Sequence, residues 1–336
     1  MPCHSPGHSR SGQVVSCGYC KFCRLKYAGE WAVRCMHEAS LYTENSFITL
    51  TYDDKRLPPG YDIRQGLIYS HFQVDFLKAL RDRCGGLTKV KHHNFGKFNS
   101  RTNEPYPEFH RPIRFYMSGE YGTLRARPHW HACLFNFDFS DRYLWRYRRF
   151  PNGSKYPVYR SPLLEELWPY GNSEIGSVTF QSAGYCARYI MSKVVGDDDR
   201  KSSAYDLVDS STGEVFIRRP EFSKMSLRPG IGEGWFRKFS SDVFPVDHVV
   251  LANGREVKPP RYYDKRFFAM NKEYLVRNFN PETGEVIADF HSPELDNIKF
   301  ARSLAVKLKL DNVNRPSLLS EAQVLDACTV SLKRIL

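Results

Sequence analysis

Alternation of apolar and polar residues is clearest in the middle of the chain, where two β-prone runs follow each other. The first covers residues 113–122 and the second covers residues 127–135. Successive residues of a strand point to opposite faces of a sheet. His129 and His131 therefore share one face, while Trp130 points to the other, which we expect to be the core. The short segment between the runs predicts a hairpin-like connection.

Apolar residues recur at helical spacing in three other segments, which predicts helices over residues 21–42, 70–84 and 181–195. A further strand is predicted over residues 46–52 and a short one over residues 177–180. The order strand, helix, strand, strand, helix is typical of an α+β domain with a central antiparallel sheet. We therefore predict that fold class.

Changes in composition divide the chain into three predicted regions. Residues 1–45 form a cysteine-rich arm and the first helix, and residues 46–199 form the central domain. Residues 200–336 are predicted to be an accessory C-terminal region, and their pattern indicates no role.

The charge balance favours a polyanionic partner. The 336 residues carry a formal charge of +12 and a pI near 9.2, which is typical of proteins that bind nucleic acid, although a basic solvated surface also explains it. No apolar run approaches 18 residues and the first residues show no signal-peptide pattern. These features predict a soluble, intracellular protein without a membrane partner.

A basic and aromatic stretch at residues 141–160 is the strongest candidate for a DNA-contacting surface, because bases of a single strand stack on exposed rings beside cationic groups. The predicted contacts within it are Arg142, Trp145, Arg146, Tyr147, Arg148 and Arg149.

The cysteines suggest a metal site rather than a disulfide framework. Nine cysteines are an odd number, and Cys17, Cys20 and Cys23 lie three residues apart. Together with Cys3 they supply the four thiolates that suit a structural Zn²⁺. The spacing also matches part of an iron–sulfur pattern, and buried thiols without a metal are the remaining alternative.

Two further groups carry candidate chemistry. Two imidazoles on one strand face can converge on one divalent ion, and Glu120 becomes a third ligand if the hairpin register aims it at them. Tyr185 and Tyr189 share a helix face at i and i+4, with Lys193 four residues further on. Ordinary packing also explains either pattern when it is taken alone.

The combination of the His-x-His strand with the Tyr-x-x-x-Tyr helix resembles the HUH endonucleases that start rolling-circle replication. The chain is especially similar to the replication initiators of gokushovirus-type microviruses. Supporting stretches are residues 17–24, 31–34, 47–54, 118–122 and 225–232. The resemblance implies a ferredoxin-like, RNA-recognition-like sheet, and Mg²⁺ or Mn²⁺ held by His129, His131 and Glu120.

The resemblance also implies an activity. One tyrosine, Tyr185 or Tyr189, nicks a single-stranded origin and keeps the 5′ end as a phosphotyrosyl ester, with Lys193 assisting. The freed 3′-hydroxyl would be extended by a host polymerase in the cytoplasm of the infected bacterium, and the host helicase is the other expected protein partner. Arg188 is expected to point away from the tyrosines and to contact DNA. A plasmid initiator, a transposase and a zinc-stabilised nucleic-acid-binding protein without catalysis are the alternatives.

Overall fold

The computed structural model describes residues 3, 5–8, 14–85, 98, 105, 112–122, 126–149, 153–188, 205–209, 211–244 and 247–277. Contacts group the chain into two compact units. One contains residues 1–146 and 157–235, and the other contains residues 147–156 and the residues from 236 onward. The region boundaries predicted at residues 45 and 199 stay predictions.

Helices and strands alternate along the chain. The strands β1 to β13 span Gly7–His8, Val14–Val15, Asn45–Tyr52, Arg114–Tyr121, Pro128–Phe135, Tyr143–Arg149, Lys155–Arg160, Gly171–Gly176, Asp206–Val208, Val215–Ile217, Phe222–Met225, Val249–Val250 and Glu256–Val257. The helices α1 to α6 span Lys21–Ala39, Ala79–Cys84, Pro162–Leu167, Phe180–Ala187, Glu233–Val243 and Arg261–Arg277. A π-helical segment at His71–Lys78 leads into α2, and 3-10 turns lie at Asp54–Arg56 and Ile63–Gln65.

One seven-stranded sheet organises the first unit, in the order β11-β4-β5-β3-β8-β7-β6. The central pairs β4 with β5, β5 with β3, and β3 with β8 are all antiparallel. The predicted α+β class with a central antiparallel sheet is therefore confirmed. Strand β5, which carries the His-x-His pattern, lies between β4 and β3, so neighbours hold both of its edges.

Each face of the sheet has its own hydrophobic cluster. On one face Trp130 packs with Phe72 and Phe76 of the π-helical segment. On the other face Cys133 and Phe135 pack with residues of α1 and α4. The two clusters follow from strand alternation, because residues one position apart in β5 point in opposite directions. The prediction that Trp130 turns away from the histidines into a core is confirmed.

The predicted strand at residues 177–180 is wrong. The strand lies one segment earlier at Gly171–Gly176, where buried and more exposed residues alternate. Thr179 instead caps α4, because its hydroxyl accepts a hydrogen bond from the Ser182 amide. The predicted helix at residues 181–195 begins one residue early, at Phe180, and its described part ends at Ala187.

A buried ion pair fixes α1 to the sheet and to the segment after β11. Glu38 of α1 accepts from Arg114 Nε of β4 at 2.5 Å, and both side chains are less than a tenth exposed. The other Glu38 oxygen accepts from the Gly232 amide at 2.7 Å. Arg114 also donates to the Pro229 and Gly230 carbonyls. This network satisfies two charges that would otherwise be costly to bury.

The second unit contains its own aromatic cluster. Phe236 stacks on Tyr263 with 5.4 Å between ring centroids, and Phe244 stacks on Phe267 at 4.0 Å. In the described part of the chain, no helix is both long and apolar enough to cross a membrane.

Candidate active site

The register of the β4–β5 hairpin brings the three predicted metal ligands together. Glu120 pairs with His129 and Ser118 pairs with His131 across the ladder. Each of Glu120, His129 and His131 offers a ligand atom within 4.8 Å of those of the other two. The gap between Glu120 Oε2 and His129 Nε2 is 4.0 Å. Two adjacent strands therefore supply all three donors to one point.

Backbone and side-chain contacts orient the two imidazoles. His129 Nδ1 lies 3.2 Å from the Arg127 carbonyl, which only accepts, so Nδ1 carries the proton and Nε2 keeps its lone pair. His131 Nδ1 lies 3.0 Å from the Thr49 hydroxyl of β3. Burial lowers the pKa of His129, so this imidazole is neutral at pH 7. A neutral imidazole with a fixed tautomer is the form that binds a metal.

Glu120 is a largely buried carboxylate. Burial raises its pKa to about 7, and the nearby charge of Glu221 acts in the same direction. The Ser118 hydroxyl donates to Glu120 Oε1 at 2.7 Å, which opposes that shift and orients the group. A bound cation would compensate the buried negative charge. The positive charge of Arg188 acts on the Glu120 pKa in the same downward direction as a bound cation would.

Tyr185 of α4 lies directly against His131. Its ring meets the His131 ring edge-on, with 4.6 Å between centroids and 78° between planes. Helix α4 packs on the face of the sheet that carries the histidines, since Ala183 and Cys186 belong to the cluster with Cys133. One candidate nucleophile therefore adjoins the candidate metal ligands. Tyr189 and Lys193 lie outside the described residues, so their placement stays a prediction.

Arg188 does not point away from the tyrosine. Its guanidinium carbon lies 5.8 Å from the centroid of the Tyr185 ring. Burial lowers the pKa of Arg188, and the charges of Tyr185 and Glu120 oppose that shift. The structure therefore puts this cation close to the candidate site, whereas its predicted contact with DNA stays a prediction.

The donor set fits a hard divalent cation. One carboxylate and two imidazoles suit Mn²⁺, and Mg²⁺ or Zn²⁺ also accept such ligands. Each ligand also has a hydrogen-bonding partner: the Ser118 hydroxyl for Glu120, the Arg127 carbonyl for His129 and the Thr49 hydroxyl for His131. Ligands in metal sites are usually oriented by such partners. The residues present thus fit the Mg²⁺ or Mn²⁺ that the family resemblance implies.

The four cysteines predicted to bind zinc converge. Sulfur atoms of Cys3, Cys17, Cys20 and Cys23 all lie within 4.8 Å of one another, and these cysteines are free thiols. The Cys3–Cys20 and Cys17–Cys23 sulfur distances are 3.9 and 4.0 Å. Zinc–sulfur bonds of about 2.3 Å in a tetrahedron require sulfurs about 3.8 Å apart. The cluster has the size of a tetrahedral thiolate site.

Backbone amides stabilise the thiolate form of one of these cysteines, which is the form that binds a metal. The amides of Tyr19 and Cys20 donate to Cys17 Sγ at 3.4 and 3.3 Å. These bonds lower the pKa of Cys17 to about 6, whereas burial raises the pKa of Cys23. A cation shared by the four sulfurs would favour the thiolate form of both.

Five of the seven predicted DNA-contacting residues lie on strand β6, Arg142 directly precedes that strand, and Arg188 follows α4. Every residue of β6 is exposed, including Trp145 at 51% and Tyr147 at 60%. Arg146 pairs with Glu174 of β8 at 2.5 Å, and Arg142 pairs with Asp138 at 2.5 Å. Arg148 and Arg149 lie further along the same strand. Their roles in DNA binding stay predictions.

Three orienting contacts were missed by sequence reasoning. Thr49, Ser118 and the Arg127 carbonyl each touch a predicted ligand. Strand alternation puts Thr49 and Thr51 on one face of β3, which was a usable signal. The pairing of Thr49 with His131 depends on the register between two strands distant in sequence, which the sequence does not give.

Comparison with known proteins points to one family. Residues 45–194 match the family model described as replication-associated protein ORF2/G2P. Over 248 residues the chain is 32% identical to the replication-associated protein VP4 of Bdellovibrio phage phiMH2K, covering 74% of this chain and 65% of that protein. It is 30% identical over 278 residues to the replication-associated protein ORF2 of Spiroplasma virus 4, covering 82% of this chain and 74% of that protein.

A third relative is the replication-associated protein ORF4 of Chlamydia phage 1, with 30% identity over 273 residues, 79% of this chain and 57% of that protein. The chain thus spans less than two thirds of the Bdellovibrio and Chlamydia phage proteins. No solved structure matches the chain.

Proposed function

We propose that this chain, which belongs to the replication-associated proteins of microvirus-type phages, is a metal-dependent single-strand DNA endonuclease and strand transferase that starts rolling-circle replication. The observation that carries the proposal is the contact between Tyr185 and His131 at a cluster of three metal-ligating side chains. A nucleophile and an activating cation then meet at one phosphate.

Tyr185 supplies the nucleophile in this proposal. Its phenolic oxygen loses a proton and attacks the scissile phosphorus, the bond from phosphorus to the 3′ oxygen breaks, and that oxygen takes up a proton. The 5′ phosphate stays esterified to the tyrosine, so the energy of the broken bond is kept for a later rejoining step. The edge-on packing against His131 fixes the ring beside the metal ligands.

Glu120, His129 and His131 would hold Mg²⁺ or Mn²⁺, which supplies charge stabilisation and alignment of the scissile phosphate when bound. Arg188 adds a second positive charge beside Tyr185. Neutral imidazoles and an ionised Glu120 are required, and the Arg127 carbonyl and the Ser118 hydroxyl maintain the orientation of those ligands.

Tyr189 is proposed as the second nucleophile and Lys193 as its cationic assistant. A tyrosine one helical turn after Tyr185 attacks the regenerated origin after one round of synthesis, and the released 3′-hydroxyl resolves the first ester. The partners proposed for this cycle are the single-stranded origin and the helicase and polymerase of the infected bacterium. The four-cysteine cluster is proposed to hold a structural Zn²⁺.

The test is adduct formation with DNA. The full chain is incubated with single-stranded DNA that contains the origin of its own phage, with Mn²⁺ or Mg²⁺, and resolved on a denaturing gel. A covalent protein–DNA product that requires the cation is expected for the wild type. Tyr185→Phe is expected to reduce the product strongly, and the double variant with Tyr189→Phe should form none.

Tyr27→Phe is the matched control, because Tyr27 also packs edge-on against an aromatic ring, that of Trp31, with 6.3 Å between centroids. It should form the adduct like the wild type. Full adduct formation by the variant that lacks both tyrosines would refute the proposed nucleophiles. No adduct from the wild type with its own origin would refute the endonuclease itself.

A further inference from the structure

The turn between two of the clustered cysteines presents an exposed aromatic ring. Tyr19 lies between Cys17 and Cys20 and is 67% exposed. Gly18 before it has a φ of +80°, a conformation that glycine adopts without strain and that reverses the chain here. The Tyr19 amide donates to Cys17 Sγ at 3.4 Å. The backbone is therefore tied to the cluster while the side chain lies in solvent.

We call Cys3 together with residues 17–23 the cysteine knuckle. Beside it, β1 and β2 form a small antiparallel hairpin in which His8 pairs with Val14. Val14 and Val15 are 47% and 42% exposed. Exposed apolar residues thus lie close to Tyr19 in the sequence.

The sequence that contains the cysteine knuckle is rich in basic residues. The first 29 residues contain Arg10, Lys21, Arg24 and Lys26 but no Asp or Glu, since the first acidic residue is Glu30. Four thiolates around one Zn²⁺ would carry a net charge of about −2, which is smaller in magnitude than the formal charge of the four basic residues in this segment of the sequence. Lys21 and Arg24 follow the turn at i and i+3 in α1, so they share one face of that helix.

We propose that the cysteine knuckle is a second binding site for single-stranded DNA, with a base stacked on Tyr19 and the backbone attracted by Lys21, Arg24 and Lys26. An exposed ring beside cationic side chains is the arrangement on which unpaired bases stack. Bases in a duplex are already stacked on their neighbours, so this surface selects unpaired strands. The inference rests on the proposed function only in the choice of DNA, because the site is separate from Glu120, His129 and His131.

Binding without catalysis tests the proposal. The full chain, loaded with Zn²⁺ and without Mg²⁺ or Mn²⁺, is titrated into fluorescent oligothymidylate of about 16 nucleotides, and anisotropy is measured. Tyr19→Ala is expected to raise the dissociation constant about tenfold, which corresponds to about 1.4 kcal/mol. Tyr19→Phe keeps the ring and should bind within about twofold of the wild type.

The proposed contacts between the basic side chains and the DNA backbone are tested by the salt dependence of binding. Lys26→Gln should lower the slope of log affinity against log salt by about 0.7 for a single strand. Lys78→Gln, an exposed lysine on the π-helical segment, is the matched control and should leave the slope unchanged. Tyr19→Ala that retains its zinc and binds like the wild type would overturn the proposal.

If Tyr19→Ala loses its zinc, its affinity for DNA no longer reports on the tyrosine ring alone. The wild type is therefore also photo-crosslinked to an iodouracil-substituted oligothymidylate, and the crosslinked residues are identified by mass spectrometry. Crosslinks within residues 14–26 are expected, and their absence from that segment would overturn the proposal. A chain that crosslinks there but forms no covalent adduct with its origin would refute the endonuclease while leaving this site intact.

Discussion

Glu120 and His129 stand directly opposite each other in the β4–β5 ladder, with 4.0 Å between Oε2 and Nε2. Ser118 holds the other carboxylate oxygen and the Arg127 carbonyl holds the other imidazole nitrogen. Both ligand atoms are thus aimed at one point before any ion binds. A site built in this way should bind a cation without rearrangement of the backbone.

Replacing His129 and His131 together with Ala should abolish metal binding and adduct formation while the fold is kept. The variant loses two of three ligands, so affinity for Mn²⁺ should fall by more than about 100-fold. Isothermal titration with Mn²⁺ and far-ultraviolet circular dichroism measure the two effects. His8→Ala, an exposed histidine on β1, is the control and should bind Mn²⁺ normally. Unchanged Mn²⁺ affinity in the double variant would refute this ligand set.

Metal affinity should weaken as the pH falls through 7. In the metal-free protein, burial raises the pKa of Glu120 to about 7 but lowers the pKa of His129. Below pH 7 a cation must displace a proton from Glu120, whereas His129 stays neutral over the upper part of that range. The apparent dissociation constant should therefore rise about tenfold per pH unit below 7 and level off above it.

Titrations of Mn²⁺ followed by electron paramagnetic resonance at several pH values measure this dependence. Glu120→Gln has no proton to displace, so it should bind more weakly and lose most of the pH dependence near 7. A wild-type affinity that is constant from about pH 6 to 8 would show that Glu120 is already ionised or does not bind the ion.

Removing zinc should destabilise the N-terminal part of α1. Cys20 is the residue before that helix and makes no side-chain capping hydrogen bond, and Cys23 lies in its first turn. We expect one zinc per chain by atomic emission, and Cys20→Ser should lose it and lower the melting temperature. Cys84→Ser, outside the cluster, is the control and should retain zinc. Purified protein without zinc, but with full stability, would contradict a structural metal here.

Breaking the buried ion pair should cost far more stability than breaking an exposed one. Glu38→Gln leaves the Arg114 guanidinium buried without its counter-charge, and the free energy of unfolding should fall by about 3 kcal/mol. Asp82→Asn removes the exposed i, i+4 pair with Lys78 and should cost about 0.5 kcal/mol. Urea denaturation measures both. Equal decreases in the free energy of unfolding for the two variants would mean that solvent reaches the Glu38–Arg114 pair.

Local periodicity was sufficient to predict much of the fold. The alternation at β5 correctly separated Trp130 from His129 and His131, and helical spacing correctly predicted α1 at Lys21–Ala39. The strand after Trp168 was not predicted, because β8 consists mainly of Gly, Asn, Ser and Glu and has Ile175 as its one β-branched residue. Its position between β3 and β7 makes Gly171–Gly176 a strand, and tertiary pairing of this kind overrides weak propensity.

Residue type and spacing were sufficient to predict which side chains belong to the candidate site. Glu120, His129 and His131 were named from the sequence, and the structure brings them together. The direction of Arg188 was not predictable, because it depends on how α4 ends against the sheet. The contact of Thr49 with His131 joins positions 82 residues apart, which no local pattern encodes.

Alternate residues of strand β5 belong to the core and to the candidate site. The register of β5 therefore fixes the core packing and the position of the candidate ligands together. A one-residue slip in the register of Pro128–Phe135 against its neighbours would turn the imidazoles towards the cluster that contains Phe72, and it would bring the Trp130 indole to the face of the candidate ligands. A lengthened connection between β4 and β5 would have no such effect. Insertions should therefore be tolerated in the loops but not within β5, because the one-residue spacing of the histidines is as strict a requirement as the hydrophobicity of Trp130 between them.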